Sequence, residues 1–231
     1  PVRPEDTAAA SPGAQPLAIT EKAVYIPYMS DHALVLAAAL RHHGIRGEAL
    51  PPPTDETMDI GLSLCRGREC LPCFLAIGDV IRACRTPGFD TARSAFLLPG
   101  SPGPCRFGQY RVLQRVLLDR QGFADAEILS PTSENSYRGF GERPRALRLL
   151  AWSGVVSIDL LLKLLHEFRP YELEPGVTDA AYTRGIAHLC EAMEQGGEGG
   201  ADRRGLGQGR AGSGDRLRVG VVALPVDLGE D

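Results

Sequence analysis

Residues 22–40 read KAVYIPYMSDHALVLAAAL, and this stretch sets the expectation for the whole fold. The apolar run Ala23 to Ile26 is typical of a short buried strand. Pro27 follows it, and the pair Ser30 and Asp31 precedes an apolar helical pattern from Ala33 to Leu40. The sequence therefore predicts a strand, a loop and a helix, in that order.

The same alternation continues along the chain. Further strands are predicted at Arg46 to Leu50, Ser94 to Leu98 and Ala126 to Leu129. The helices between them are predicted at Asp55 to Ser63, Phe74 to Cys84 and Gly108 to Arg120. Strands that alternate with helices at these spacings are typical of βαβ crossovers. We therefore expect an α/β fold, Rossmann-like, with a mainly parallel sheet and helices on both faces.

Four segments are expected along the chain. Residues 1–20 are rich in Ala, Pro and Ser and predict a disordered leader. Residues 21–195 form the α/β domain, which ends in two helices at Ile158 to Phe168 and Thr178 to Glu194. Residues 196–215 contain nine glycines, which is typical of a flexible linker. Residues 216–231 are expected to be a truncated strand or tail.

The composition narrows the class of protein. The chain of 231 residues is 43% hydrophobic, which is enough to bury a core. Its formal net charge of −4 and its pI near 5.8 provide no basic field for a nucleic-acid backbone. The apolar stretches are shorter than the roughly 20 residues that cross a bilayer. We therefore expect a cytoplasmic protein without nucleic-acid or membrane partners, and the start at Pro1 favours a fragment of a larger one.

Six cysteines in a chain without a secretory signal indicate a reducing compartment, where clustered thiols more often bind metals than form disulfides. Residues 65–73 read CRGRECLPC and place Cys70 and Cys73 three residues apart, close enough to bind one metal centre. Pro72 suits the first turn of a helix. Cys73 is therefore expected near a helix N-terminus, where the helix dipole favours the thiolate.

A second loop, with the sequence GSPGPCRFG at residues 100–108, carries another cysteine. Cys105 lies there between the end of a predicted strand and the start of a helix, and Arg106 adds positive charge. In an open parallel sheet the loops that follow the strands lie at the same edge, where ligands usually bind. We therefore expect Cys105 to meet Cys70 and Cys73 at one metal centre.

Polar residues of two further loops on this edge are candidate cofactor contacts. Ser30 and Asp31 follow the first strand, and Asn135 and Ser136 lie in a polar segment after the last one. Together with Arg106, they are expected to shield the centre or to hydrogen-bond its sulfurs. The simpler interpretation is that Ser30 and Asp31 only cap the helix that follows.

Four motifs of the chain resemble, in order and spacing, the large activase-related proteins of the 2-hydroxyacyl-CoA dehydratase system. They are YIPYMSDH at 25–32, GRECLPC at 67–73, GPCRFGQY at 103–110 and SPTSENSY at 130–137. The likeness covers roughly residues 22–195. Two features depart from the family pattern, namely Cys65 and the tail after Val222.

The resemblance implies a role in ATP-driven, low-potential electron transfer, on the side of the system that carries the cluster. The cofactor is then an iron–sulfur cluster, [4Fe-4S] or a related type, held by Cys70, Cys73 and Cys105 as thiolates. Three protein ligands leave one iron free for another ligand. The expected partners are the ATPase activator domain, in the same or a partner chain, and a dehydratase-like component. An acyl-CoA is a candidate ligand.

Other interpretations of the cysteines remain open. Cys65, Cys70, Cys73 and Cys105 roughly match the spacing of plant-type ferredoxins, which hold [2Fe-2S], although those are small strand-rich domains. The same four thiols suit structural zinc in an interaction module. A dithiol switch between Cys70 and Cys73 is a third alternative. Two further cysteines, Cys84 and Cys190, lie in helical patterns and are expected to be buried apolar residues.

Overall fold

The structure is a computed structural model that describes residues 19–100, 104–131 and 144–196. Its strands are β1 (Ala23–Ile26), β2 (Arg46–Ala49), β3 (Ser94–Leu97) and β4 (Glu127–Leu129). Its α-helices are α1 (His32–His42), α2 (Asp55–Leu64), α3 (Leu71–Arg85), α4 (Tyr110–Arg120), α5 (Pro144–Phe168) and α6 (Val177–Glu194). The predicted leader up to residue 18, the glycine-rich linker from residue 197 and the C-terminal tail lie outside the described residues.

The four strands form one sheet in the order β2-β1-β3-β4, and each neighbouring pair is parallel. In the register, Val24 of β1 lies opposite Gly47 of β2 and Ala95 of β3. The predicted α/β fold with a parallel sheet is therefore confirmed. The chain order reverses between β1 and β3, so the loops after these two strands flank the crevice where such sheets usually bind ligands.

Helices cover both faces of the sheet, because successive strand residues point to opposite sides. Val24 and Ile26 face a core that α1, α5 and α6 close, with Val35 and Ile158 among its buried members. Tyr25 and its neighbours on β3 and β4 face a second core, which α3 and α4 close. The predicted metal ligands belong to the elements on this second side.

The helix α5 begins at Pro144, whereas the sequence analysis predicted a helix from Ile158 onward. Gly154, a poor helix former, interrupts the helical pattern of apolar residues before Ile158. The structure gives the reason for this glycine, since a Cβ there would lie 2.9 Å from the Cβ of Val35 on α1. Tertiary packing of α5 on α1 therefore extends the helix beyond its local pattern.

The segment Pro144–Tyr171 is also the one place in the described residues that is long and apolar enough to cross a membrane, with a mean hydropathy of 1.5. One side of α5, including Leu161 and Leu165, is buried against the domain. The opposite side leaves Trp152 66% exposed and Leu160 57% exposed. The helix is therefore a core helix on one side, and its exposed side mixes apolar residues with charged ones such as Lys163 and Glu167.

The helices α2 and α3 form a tight antiparallel hairpin on the outside of the sheet. A Cβ on Gly61 would lie 2.1 Å from the carbonyl oxygen of Phe74, and one on Gly78 would lie 2.0 Å from that of Thr57. Real Cβ atoms do not approach backbone oxygens so closely, so only glycine permits this crossing. The hairpin holds the cysteine loop, Cys65 to Cys70, at its tip.

Gly78→Ala is expected to lower the free energy of unfolding by about 2–3 kcal/mol, because the added methyl must push two backbones apart. Gly185→Ala on α6 is the matched control. Its Cβ would meet only the side chain of Leu161, at 3.2 Å, and alanine favours helix by about 1 kcal/mol. Urea unfolding of both variants tests this, and equal stabilities would contradict the packing described here.

The helix α3 also carries a buried carboxylate, that of Asp79, which is 1% exposed. Burial raises the pKa of Asp79 from its ordinary 3.8 to about 6, while the Arg82 guanidinium, the Thr57 hydroxyl and the Tyr28 backbone N–H act in the opposite direction. The Arg82 guanidinium lies 3.4 Å from its Oδ1. Its Oδ2 has no hydrogen-bond partner among the described residues.

This raised pKa predicts a pH-dependent stability. The folded protein binds the proton of Asp79 more tightly than the unfolded chain does. The contribution of this proton to the free energy of unfolding is therefore complete below about pH 4 and is lost as the pH rises through 6. The free energy of unfolding of Asp79→Asn, taken relative to that of wild type, should therefore rise by on the order of 2 kcal/mol from pH 4.5 to pH 7.5. Urea unfolding at the two pH values measures this difference. Asp59→Asn, at an exposed position, is the control. If the stability difference between Asp79→Asn and wild type does not change with pH, the raised pKa of Asp79 is refuted.

Candidate metal centre

The cysteine loop is held in a defined conformation between α2 and α3. Cys65 follows the last residue of α2 with an extended backbone, and Gly67 adopts a positive φ of 77°. The Glu69 carboxylate accepts hydrogen bonds from the backbone N–H groups of Arg66 (3.1 Å) and Arg68 (3.0 Å). Cys70 is the N-cap of α3, so Cys73 lies in its first turn, as predicted from Pro72.

The loop projects beyond the edge of the sheet at which the strands end. Asp79 lies near the Tyr28 backbone N–H, two residues after the end of β1. Cys73 lies six residues before Asp79 on the same helix, a rise of about 9 Å at 1.5 Å per residue. Tyr25, earlier on β1, lines a cleft with Arg82 and the C-cap residue Thr86, which lie later along α3, so α3 runs opposite to β1. The start of α3, with Cys70 and Cys73, therefore lies beyond the carboxyl end of β1.

The loop after β3 reaches the cysteine loop. The Arg106 guanidinium donates a 2.6 Å hydrogen bond from Nη1 to the carbonyl oxygen of Arg68. Cys105, the residue before it, is exposed, and a short 3₁₀ helix (Arg106–Gln109) leads from it into α4. Arg106 therefore joins the two loops that carry the predicted metal ligands. A direct contact between Arg106 and a cofactor stays a prediction.

Tyr110, the first residue of α4, lies where the two loops meet. Its hydroxyl is 2.7 Å from the Cys70 Sγ, and its ring packs edge-on against Phe107 with centroids 5.1 Å apart. Burial is the largest cause that raises the pKa of Tyr110 far above its ordinary value. The hydrogen bond with Cys70 and the charges of Cys70, Cys73 and Cys105 raise this pKa further. All three predicted ligands therefore lie within electrostatic reach of this one hydroxyl.

The thiols differ in acidity. The hydrogen bond with Tyr110 lowers the pKa of Cys70 and the Arg106 charge adds to the effect, against an opposing contribution from burial. Burial raises the pKa of Cys73 to about 12, and nearby Cys65 and Cys70 contribute. The expectation that Cys73 is a ready thiolate at a helix N-terminus is therefore wrong for the metal-free chain. Desolvation of a side chain that is 3% exposed outweighs the helix dipole.

Within the described residues, no three His, Cys, Asp or Glu side chains are gathered closely enough to bind a single metal ion. A tetrahedral zinc site with Zn–S bonds of about 2.3 Å places its sulfurs about 3.8 Å apart. The thiol ligands of an iron–sulfur cluster bind different irons and lie farther apart. Cys70, Cys73 and Cys105 therefore do not form a preorganised site for one ion, and Cys70 is the one of them in contact with Tyr110.

A buried amide lies one helical turn beyond Tyr110. Gln114 is 1% exposed, and neither its Nε2 nor its Oε1 has a hydrogen-bond partner among the described residues. Residues four apart share a face of a helix, so this amide lies on the same side of α4 as Tyr110. That side packs into the core that contains Cys73.

Ser30 and Asp31 have other partners in the structure. Asp31 is the N-cap of α1, but its side chain makes no capping hydrogen bond. Its carboxylate instead accepts hydrogen bonds from the hydroxyls of Tyr28 and Tyr182, at 2.5 Å for the latter. The Ser30 hydroxyl lies 2.8 Å from Nδ1 of His32. The simple capping interpretation is therefore wrong for Asp31, and a cofactor role for either residue stays a prediction.

The other predicted residues divide in two groups. Asn135 and Ser136 lie outside the described residues. Cys84 is 6% exposed within the core closed by α3 and α4, as expected for a buried apolar residue. Cys190 packs, half-buried, against the core on the opposite face of the sheet.

The sequence analysis assigned no role to Tyr110 or Gln114. Tyr110 is the last residue of the GPCRFGQY motif, five residues after Cys105 and within a predicted helix. Nothing in the pattern distinguished Gln114 from a solvent-exposed helix residue.

A separate cleft of about 520 Å³ lies beside α2 and α3. Its lining includes Tyr25 and Phe89, together with Asp79 and Arg82. None of the predicted metal ligands lines it. The predicted metal site is therefore separate from this cleft.

Comparisons with protein-family models, with curated proteins and with solved structures found no match to this chain. Fold and site define an α/β domain with a parallel four-stranded sheet and a Cys-x-x-Cys pair at the start of one helix. The family suggested by the four motifs stays a prediction.

The unequal thiols predict selective chemistry in the metal-free, reduced protein. At pH 7, iodoacetamide should modify Cys70 more than tenfold faster than Cys73, because the thiolate is the nucleophile and burial disfavours it at Cys73. Tandem mass spectrometry of the peptide that contains both residues measures the two rates. Buried Cys84 is the internal control for slow labelling, and equal rates at Cys70 and Cys73 would contradict the assigned pKa directions.

Proposed function

We propose that this chain is the cluster-binding domain of a protein related to the activases of the 2-hydroxyacyl-CoA dehydratase system. It takes part in ATP-driven, low-potential electron transfer in the cytoplasm. Its partners are an ATPase activator domain and a dehydratase-like component, and an acyl-CoA is the substrate class of the whole system. Cys70, Cys73 and Cys105 hold the cluster, [4Fe-4S] or a related type.

The observation that carries this proposal is the meeting of two loops that are far apart in sequence. Arg106 donates its hydrogen bond to the carbonyl of Arg68, and Tyr110 lies 2.7 Å from the Cys70 sulfur. Cys105 lies directly before Arg106. These contacts join the loop of Cys105 to the loop of Cys70 and Cys73, which a purely local Cys-x-x-Cys motif would not require.

The chemistry of the predicted ligands favours an iron–sulfur cluster, because cysteine thiolates are the usual ligands of such clusters. The Arg106 charge would offset part of the negative charge of the ligands. It already contributes, after the hydrogen bond with Tyr110, to the lowered pKa of Cys70.

When bound, the cluster supplies one-electron transfer, and one iron without a protein ligand remains open to a further ligand. The chain itself does three things. Cys70, Cys73 and Cys105 anchor the cluster at the end of the sheet, and α3 shields it on one side. The exposed position of Cys105 leaves the outer side accessible to an electron donor or acceptor.

A dithiol switch is the second candidate function, and the unequal thiols favour it. An N-cap cysteine of lowered pKa, followed three residues later by a buried cysteine of raised pKa, suits attack by Cys70 and resolution by Cys73. This function needs no metal and no Cys105. The two candidates therefore make opposite predictions for Cys105→Ser.

Anaerobic purification with iron and sulfide analysis and EPR tests the first candidate. The wild-type protein should contain iron and acid-labile sulfide, and Cys105→Ser should lose most of both because one of three ligands is removed. The exposed position of Cys105 lets serine replace it without disturbing a core. Cys190→Ser, in the core on the opposite face, is the control and should retain its iron.

Three outcomes would contradict this function. A colourless protein with stoichiometric zinc indicates the structural zinc module. Full iron retention in Cys105→Ser excludes that residue as a ligand. Loss of the cluster in Cys65→Ser indicates the four-cysteine [2Fe-2S] arrangement instead.

A further inference from the structure

The hydroxyl of Tyr110 is fixed against a predicted cluster ligand. Tyr110 is 5% exposed, its ring packs edge-on against Phe107, and its Oη lies 2.7 Å from the Cys70 Sγ. A buried phenol normally finds a polar partner, and here that partner is a sulfur atom instead of a backbone carbonyl. The position of the hydroxyl therefore does not depend on a flexible surface side chain.

We propose that Tyr110 tunes the reduction potential of the cluster by donating a hydrogen bond to the Cys70 sulfur. This inference rests on the proposed function, because it assumes that Cys70 is a cluster ligand. Tyr110 is thus a positioning and tuning residue, not itself a ligand.

The direction of the hydrogen bond follows from the chemistry of a ligand thiolate. A cysteine bound to iron has lost its proton, so its sulfur can only accept. The Tyr110 hydroxyl must then be the donor, since a phenol with an ordinary pKa of about 10 keeps its proton at neutral pH. Donor and acceptor roles that are ambiguous in the metal-free chain are therefore fixed when the cluster is bound.

The sign of the effect also follows. Reduction adds one negative charge to the cluster and its ligands, so a donor that points at a ligand sulfur stabilises the reduced state more than the oxidised state. Hydrogen bonds to the sulfurs are among the factors that set cluster potentials. Tyr110 therefore raises the potential above the value that the same cluster would have without it.

Tyr110→Phe removes only the hydroxyl and keeps the ring in its packed position. We expect this variant to contain as much iron and sulfide as wild type, and its midpoint potential to shift to a more negative value in an EPR-monitored redox titration. Tyr25→Phe is the matched control, since Tyr25 packs into the same core without any thiol among the groups that affect its pKa. Its potential should equal that of wild type.

A second sample keeps the Tyr110 hydroxyl and makes it a stronger hydrogen-bond donor. It is wild-type protein in which 3-fluorotyrosine, a more acidic phenol, replaces tyrosine. The midpoint potential of its cluster should shift to a more positive value. This measurement decides the question even if Tyr110→Phe fails to hold its cluster. An unchanged potential in the fluorinated protein overturns the inference.

The two proposals fail in distinguishable ways. A wild-type protein without iron and sulfide overturns the cluster function and, with it, the role of Tyr110. A wild-type protein that holds the cluster, together with a Tyr110→Phe variant of unchanged iron content and unchanged potential, overturns only the role of Tyr110.

Discussion

The close crossing of α2 and α3 is the constraint on which the site depends. At Gly61 and Gly78 the two backbones approach so closely that no side chain fits between them. This contact turns the segment between β2 and β3 into a rigid hairpin, and its tip carries Cys65, Cys70 and Cys73 beyond the end of the sheet. The loop after β3 then reaches the same place through the hydrogen bond from Arg106.

The pKa values of the cysteines at the tip of the α2–α3 hairpin depend on how deeply each thiol is buried and on its hydrogen-bond partner. Cys70 and Cys73 are three residues apart, yet one has a lowered and the other a raised pKa. The difference arises because Tyr110 hydrogen-bonds the first sulfur, while the second enters the core between α3 and the sheet. A helix N-terminus alone would favour both thiolates, and its effect is smaller than the cost of removing a charge from water.

Much of the secondary structure was predictable, because apolar periodicity reports directly on burial. The strands at Ala23–Ile26 and Ser94–Leu97 and the helix α2 were located to within one residue or so, and the parallel sheet followed from their alternation with helices. The start of α5 was not predictable, since Gly154 weakens the local pattern and its reason lies in the contact with α1. The side-chain partners of Asp31 were missed for a similar reason, because Tyr182 is 151 residues away along the chain.

For this protein, the sequence by itself determined the order of strands and helices, since that order depends on short-range apolar periodicity. It also determined that Cys70 and Cys73 lie at a helix start, since this depends on the backbone preferences of proline and glycine. Only the tertiary structure decided that Arg106 binds the cysteine loop and that Tyr110 contacts the Cys70 sulfur. The same holds for the burial of Gln114 without a hydrogen-bond partner in the described part of the chain. The physical reason is that these contacts depend on how two helices and two loops pack in space. No local pattern records that packing.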